Sequence, residues 1–340
     1  MQGCVDDETL LIEFYNDGTR LWAFTVDRDT LEVHPLPTTV GGLDQRLAQL
    51  QANLTFALNT DPDVPAARGL NTLAQRILQR LYAALVEPFA SRMRGRRRLM
   101  IVPYGALHYL PFHLLHTGSA YLIEQYEIVV LPAAGLATRR GPVSPSGALV
   151  LAHSWDGRLP QTLAEARMVQ GLFGGEIYCD QAANRTALRT RPVQILHIAA
   201  HGEHRLDQPD LSYIQLADGQ LYTDDLLQQD LSYELVMLSA CETGRANVAA
   251  GDELIGLGRG FLYAGAGALI ASLWRIPDDA AIALMEQVYQ RLRAGASKAS
   301  ALRDAQRTMY AANPELHPAF WGAFQLIGDA NPLSSRALIS

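Results

Sequence analysis

The 340-residue sequence is short of the features that would commit it to a membrane, to nucleic acid or to an oxidising compartment. Its three cysteines, Cys4, Cys179 and Cys241, are too few for a disulfide framework and imply a reducing setting, of which the cytoplasm is the simplest. No stretch approaches the ~18 consecutive apolar residues of a membrane span. The opening MQGCVDDETLLIEFY lacks the basic and apolar regions of a signal peptide. Basic residues are outnumbered, 28 Lys+Arg against 35 Asp+Glu, and the net charge of −7 argues against a nucleic-acid or anionic-membrane partner. Internal repeats and low-complexity segments are missing too. What remains is globular: 49% hydrophobic and 19% charged, at a length that implies two domains or one large α/β unit. The chain enters a strand pattern almost at once, as a part cut from a longer protein would.

The first portion reads as strand, strand, helix. Leu10–Tyr15 and Arg20–Val26 flank Asn16-Asp17-Gly18-Thr19, a hairpin signal, and Leu31–Leu36 adds a third strand. Apolar residues at i, i+3, i+4 spacing predict a helix over Leu70–Val86, ended by Pro88. The basic run RGRRR (94–98) reads as a solvated turn before the apolar strand Leu99–Val102. His108, His113 and His116 follow at a spacing that fits no zinc pattern, and they read as packing or surface histidines.

GPVSPSG (141–147) breaks both periodicities and marks the boundary between portions 1–144 and 145–332. Beyond it strands and helices alternate. Strands are predicted at Ala148–Ala152, Glu176–Cys179, Gln194–Ala200, Leu235–Ala240 and Ala268–Leu273. Helices are predicted at Thr162–Phe173, Ala183–Thr190, around Gly260–Ala264, at Asp279–Arg293 and at Ser297–Ala312. Continuously apolar strands alternating with helices imply an α/β fold with a mostly parallel sheet covered on both faces.

Two of those strands end in chemically loaded residues, ILHIAA-His201-Gly202 and LVMLSA-Cys241-Glu242. Parallel strands align their C-terminal ends along one edge, where open α/β folds place their sites. If the two strands are neighbours, imidazole and thiol meet there. A nearby histidine stabilises the thiolate, lowers the thiol pKa and can later protonate a leaving amine. The N–H groups of Gly202 and Cys241 make a candidate pair of oxyanion donors. Taken singly, a cysteine after a strand is an ordinary small hydrophobe and a histidine at a strand end is ordinarily just hydrogen-bonded. Together, with Gly202 between them, they read as a dyad. His197 sits mid-strand and reads as buried, His204 lies out in the loop, and Cys4 and Cys179 read as structural.

The segments HIAAHG, LSACETG, GDELIGLGRGFLYAGAGALIASLW and HPAFWGAFQLIGD resemble the CHAT domain, a caspase-like family found attached to TPR repeats and placed in one clan with caspases and separases. LMIVPYGALHYLPFHLL, YLIEQYEIVVLP and LLIEFYNDGTRLWAFTV extend the resemblance from about residue 8 to residue 330. It implies a caspase-like α/β/α sandwich preceded by a smaller, diverged and inactive protease-like portion, with His201 as base and Cys241 as nucleophile. TPR repeats are absent from this chain, so a sensor region or activating partner is expected outside it.

Specificity is less determined. Caspases read aspartate before the cleaved bond, whereas separases read arginine or lysine, and the caspase QACRG is SACET here. A basic preference needs an acidic pocket, for which Asp156, Asp278 and Asp252 are candidates, with Glu253 beside the last. Arg275 would serve an acidic substrate instead. The balance favours basic. The Gly- and Ala-rich loop Thr243–Gly251 is expected to order when substrate or an activator arrives. The sequence thus reads as a regulated cysteine endopeptidase acting on a protein partner. An idle interaction scaffold of the same fold is the alternative, and a thiol acyltransferase or small-amide hydrolase would use the same dyad. No cofactor is called for: no ligand cluster has usable metal spacing and no C-x-x-C supports redox chemistry. Calcium activates some members of the clan, and the Asp-rich loops leave that open.

Overall fold

Asp17 starts the first hairpin as its sequence requires. Its Oδ1 accepts the N–H groups of Thr19 and Arg20 at 2.9 and 2.8 Å, which holds its pKa below the usual carboxylate value. Gly18 takes the left-handed φ of 92° that the turn needs. In this computed structural model, residues 5–189, 193–203, 212–239 and 253–334 are described, the side chains of 189 and 253–256 apart. They fall into two units: 5–138 with Gln306–Gln325, and 139–305 with 326–334.

In the first unit β1 (Thr9–Asn16), β2 (Arg20–Val26) and β3 (Leu31–Thr39) form an antiparallel meander. β3 runs three residues beyond the expected end, through Pro35 and Pro37, which an edge strand tolerates because its outer N–H groups need no partner. Helix α1 (Val40–Leu58) falls where the sequence reading assigns none. Thr39 caps it, accepting from Gly42 N–H at 3.2 Å, and Leu43, Leu47, Leu50 and Leu54 make its buried stripe. The one helix predicted in this portion, over Leu70–Val86, is α2 (Pro65–Leu85), which begins earlier because Pro65 starts it at its first position. After the single turn α3 (Ala90–Met93), β4 (Arg98–Val102) joins β1 in parallel. Another short helix, α4 (Leu122–Gln125), leads to β5 (Glu127–Val130), parallel to β4, for the order β3-β2-β1-β4-β5.

The basic run 94–98 is the solvated turn expected only at its start, where Arg94 and Gly95 form an exposed turn. Arg96 and Arg97 pair with Asp27 and Glu127, and Arg98 is buried against Glu127 at 2.9 Å. A parallel strand pair set the guanidinium beside the Glu127 carboxylate, because Arg98 and Glu127 are register partners. Buried charges of this kind persist only when paired.

The second unit contains β6 (Ala148–Ala152), α5 (Gln161–Phe173), β7 (Gly175–Cys179), β8 (Ile195–Ala199), β9 (Gly202–Glu203), β10 (Tyr213–Leu216), β11 (Gly219–Tyr222), α6 (Thr223–Leu227), β12 (Leu235–Ser239), α7 (Glu253–Tyr263), β13 (Ala268–Ser272) and α8 (Asp278–Arg293). The division between units runs through the last two elements, α9 (Lys298–Ala312) and β14 (Phe324–Gly328). Strands follow the order β14-β13-β12-β8-β6-β7, and β7, β6, β8, β12 and β13 are all parallel. Register partners Leu196, Val236 and Leu269 share one face, and α7 packs there: a Cβ on Gly258 would lie 2.9 Å from Leu269 Cδ2. His197, Met237 and Ile270 share the other, where His197 meets α5 and α8. Helices therefore cover both faces, as the uninterrupted apolar strands predict.

One predicted helix is absent. Over Ala183–Thr190 the described residues hold only a single helical turn, Ala187–Arg189. The segment's N–H groups are spent elsewhere: Arg185 donates to Asp218 Oδ1 at 3.1 Å and Ala187 to Asn184 Oδ1 at 3.1 Å. Side chains that take backbone donors locally compete with helix. The Pro/Gly segment Gly141–Gly147 lies within the second unit, where Ser144 N–H donates to the buried Glu234 carboxylate at 3.0 Å.

Candidate active site

The condition set by the sequence is met in one respect: β8 and β12 are neighbours, parallel, and end level, with Ser239 opposite Ala199. His201 follows Ala199 by two residues, and Cys241 follows Ser239 by two. Cys241 lies outside the described residues, as do Asp252 and the loop 243–251. Glu253 opens α7.

Backbone pairing with β10 fixes His201 and the residue after it. Its carbonyl accepts Gln215 N–H at 2.8 Å, and the next residue, Gly202, pairs with Ile214 as β9 begins. Antiparallel ladders alternate hydrogen-bonded and non-hydrogen-bonded positions, so with His201 bonded, Gly202 takes the second kind. Its N–H therefore points away from β10 and is not spent on that strand.

The His201 side chain is only 7% exposed. Its ring lies flat on the Trp155 indole, centroids 4.0 Å apart and planes 1° from parallel, with Tyr213 edge-on at 6.4 Å. Tyr213 donates to Glu203 at 2.6 Å, and burial together with that bond pushes its pKa up to about 12, so it stays a phenol. Trp155 carries the Arg158 guanidinium 4.7 Å from its centroid, and since His201 occupies one face, the cation takes the other. Presenting the indole this way strains the backbone: Trp155 and Asp156 adopt φ of 49° and 55°. Asp180 holds the loop, accepting both Ser154 N–H (2.9 Å) and Ser154 Oγ–H (2.6 Å), bonds that lower its pKa.

Of the expected specificity residues, Asp156 and Arg275 are exposed. Asp278, also exposed, opens the first turn of α8 and lines a pocket of about 30 Å³ at the strand ends, together with Ala200, Ser239, Leu159, Ile282 and Glu165. Glu165 escaped the sequence reading. It occupies the buried stripe of α5, with Thr162, Ala166 and Val169, and an acidic residue in an apolar helical stripe was the signal available. Its Oε2 accepts Ser239 Oγ–H at 3.1 Å, and its Oε1 lies 3.2 Å from His197 Nε2. His197 is fully buried, as its mid-strand position predicts, and its Nδ1 shares a 2.7 Å hydrogen bond with Tyr289 Oη. Cys179 ends the edge strand β7, exposed, with its thiol pKa raised first by desolvation and then by Asp180. His113, in the first unit, is spent on Gly322 O at 2.7 Å.

A doubly covered, mostly parallel sheet with its candidate site beyond the strand ends places the fold among the caspase-like α/β proteins. Saccharomyces cerevisiae separase, in its complex with securin, has a similar fold: TM-score 0.61 at 9% identity, covering 96% of this chain and 30% of that one. The chain belongs to the CHAT domain family, which it matches over residues 75–329. It is 26% identical over 353 residues to tetratricopeptide repeat protein 28 of Mus musculus, covering 83% of this chain and 14% of that protein. The Homo sapiens protein of the same name is 25% identical over 362 residues, covering 86% and 14%. The chain thus spans only a small part of the length of these relatives. No helix among the described residues is long and apolar enough to cross a membrane.

Proposed function

We propose that this chain is a cysteine endopeptidase that cuts a protein partner in the cytoplasm, with Cys241 as nucleophile and His201 as base. The observation that carries the reading is the level, parallel pairing of β8 and β12, since each proposed group follows its strand end by two residues. His201 takes the Cys241 proton, and the thiolate adds to the scissile carbonyl, whose oxygen gathers charge toward the N–H groups of Gly202 and Cys241. The C–N bond then breaks as the imidazolium returns its proton to the leaving amine. Water, deprotonated by His201, hydrolyses the thioester and regenerates the thiol. Glu165 and Asp278 at the pocket favour a basic residue, arginine or lysine, before the cleaved bond. The first unit is a diverged, inactive counterpart in this reading. Activation by a TPR region or a protein partner outside the chain is supported by the relatives' being tetratricopeptide repeat proteins.

Peptidyl chloromethyl or acyloxymethyl ketones ending in Arg, Lys, Asp or Leu test this. Intact-mass spectrometry is expected to find an adduct on Cys241, favoured for Arg and Lys, and lost in Cys241→Ala and His201→Ala. No adduct with any probe, before or after addition of a TPR-containing partner, would mark an idle scaffold of the same fold.

A further inference from the structure

We propose that Glu165 is the specificity-determining residue of the pocket at the strand ends, where it receives a guanidinium or ammonium group. The proposal rests on the peptidase reading for the role of the pocket but not for its chemistry. Ala200 and Ser239, which wall it, directly precede His201 and stand two residues before Cys241, so a side chain entering here belongs to the residue whose carbonyl faces those positions. Leu159 and Ile282 give it apolar sides suited to a methylene stem.

The polar part is incomplete as it stands. Glu165 is 4% exposed, yet its Oε1 has no hydrogen-bond partner: His197 Nε2 is near, at 3.2 Å, but not aligned to donate. Its Oε2 is oriented by Ser239 Oγ–H, and His197 is held from behind by Tyr289. The carboxylate is therefore buried and pinned, with acceptor capacity unspent. A buried acceptor left unpaired is destabilising, and a cation's N–H donors relieve that cost with a charge-assisted bond. Asp278, exposed at the start of α8, adds a second negative charge where solvent enters. Asp156 and Arg275 are not part of this wall. Arginine and lysine fit these features, and aspartate would place like charges together.

Two readouts on the full chain test the assignment. Agmatine, a guanidinium on an unbranched stem, is expected to raise the melting temperature of wild type and of Cys241→Ala but not of Glu165→Gln, while the neutral analogue butylurea shifts none of them. Arginyl ketones are expected to label Cys241 about 10- to 100-fold faster than citrullinyl ketones, with the ratio collapsing in Glu165→Gln and falling less in Asp278→Asn. Glu165→Asp, which keeps the charge, is expected to retain an intermediate ratio and covers the case of a poorly folded Gln variant. Equal slowing of both probes in Glu165→Gln, or an unchanged ratio with agmatine still binding, would overturn the assignment. Glu165-dependent agmatine binding without any Cys241 adduct would instead sustain the assignment and defeat the peptidase reading. Leucyl adducts with no arginine preference would do the reverse.

Discussion

The two units bury histidine in different company. In the first, His317 accepts Ala319 N–H at Nδ1 (3.1 Å) and donates from Nε2 to Asn53 Oδ1 (2.9 Å), while His113 bonds Gly322 O. Both are hydrogen-bonded within the unit, and burial holds their pKa values down to about 4. In the second, His197 stands against a carboxylate with unspent acceptors, and His201 is stacked on a tryptophan held in a strained backbone. The three non-glycine residues with positive φ among those described, Trp155, Asp156 and Asp180, also belong to the second unit and cluster in loops after β6 and β7. On the proposed reading the first pair is kept for stability, and the unspent acceptor and strained backbone beside a pocket serve chemistry.

The contrast can be broken first by pH. His113 and His317 titrate near 6.5 when unfolded and near 4 when folded, so between those values the unfolded chain binds more protons and stability falls as pH drops. At pH 5 each histidine is expected to cost about 2 kcal/mol relative to neutral pH. Urea unfolding at pH 7 and pH 5 checks this, and unchanged midpoints would mean the histidines are not held neutral. A smaller effect is expected of Asn53→Ala, which strands His317 Nε2 and removes the Asn53 bond to Leu70 O. It should lower stability by about 2 kcal/mol and leave Cys241 labelling intact. Loss of labelling at preserved fold would erase the distinction between the units. Trp155→Gly is expected to do the opposite. Glycine, with no Cβ, takes the φ of 49° without penalty, and relief of about 1–3 kcal/mol of backbone strain offsets lost packing, so unfolding midpoints move little. The rate of Cys241 labelling at saturating probe should still fall about tenfold, because the imidazole loses its platform. Equal falls in stability and labelling would assign Trp155 to packing alone.

Much of this architecture was legible. Asn-Asp-Gly-Thr specified the first hairpin, and uninterrupted apolar runs specified parallel strands covered on both faces. Histidine and cysteine each two residues past a strand end were visible as a pair as soon as β8 and β12 were read as strands. Long-range register was not legible. Nothing local to RGRRR says that Glu127 will stand beside Arg98, and nothing in α5 says that Ser239 will meet Glu165. The Ala183–Thr190 helix failed for a related reason: the Asp218 carboxylate that takes the Arg185 N–H comes from a distant turn. The α1 stripe was readable but begins with Gly41-Gly42, which reads as a breaker until Thr39 is seen to cap it.

The central claim, that His201 activates Cys241, is tested most directly by the pH dependence of Cys241 alkylation with iodoacetamide, followed site by site in wild type and His201→Ala. The account expects wild-type reactivity to persist at least one pH unit below the ordinary thiol value of ~8.5, and His201→Ala to return it there. Superimposable profiles, both rising near the ordinary value, would show that the two groups do not meet and would contradict it.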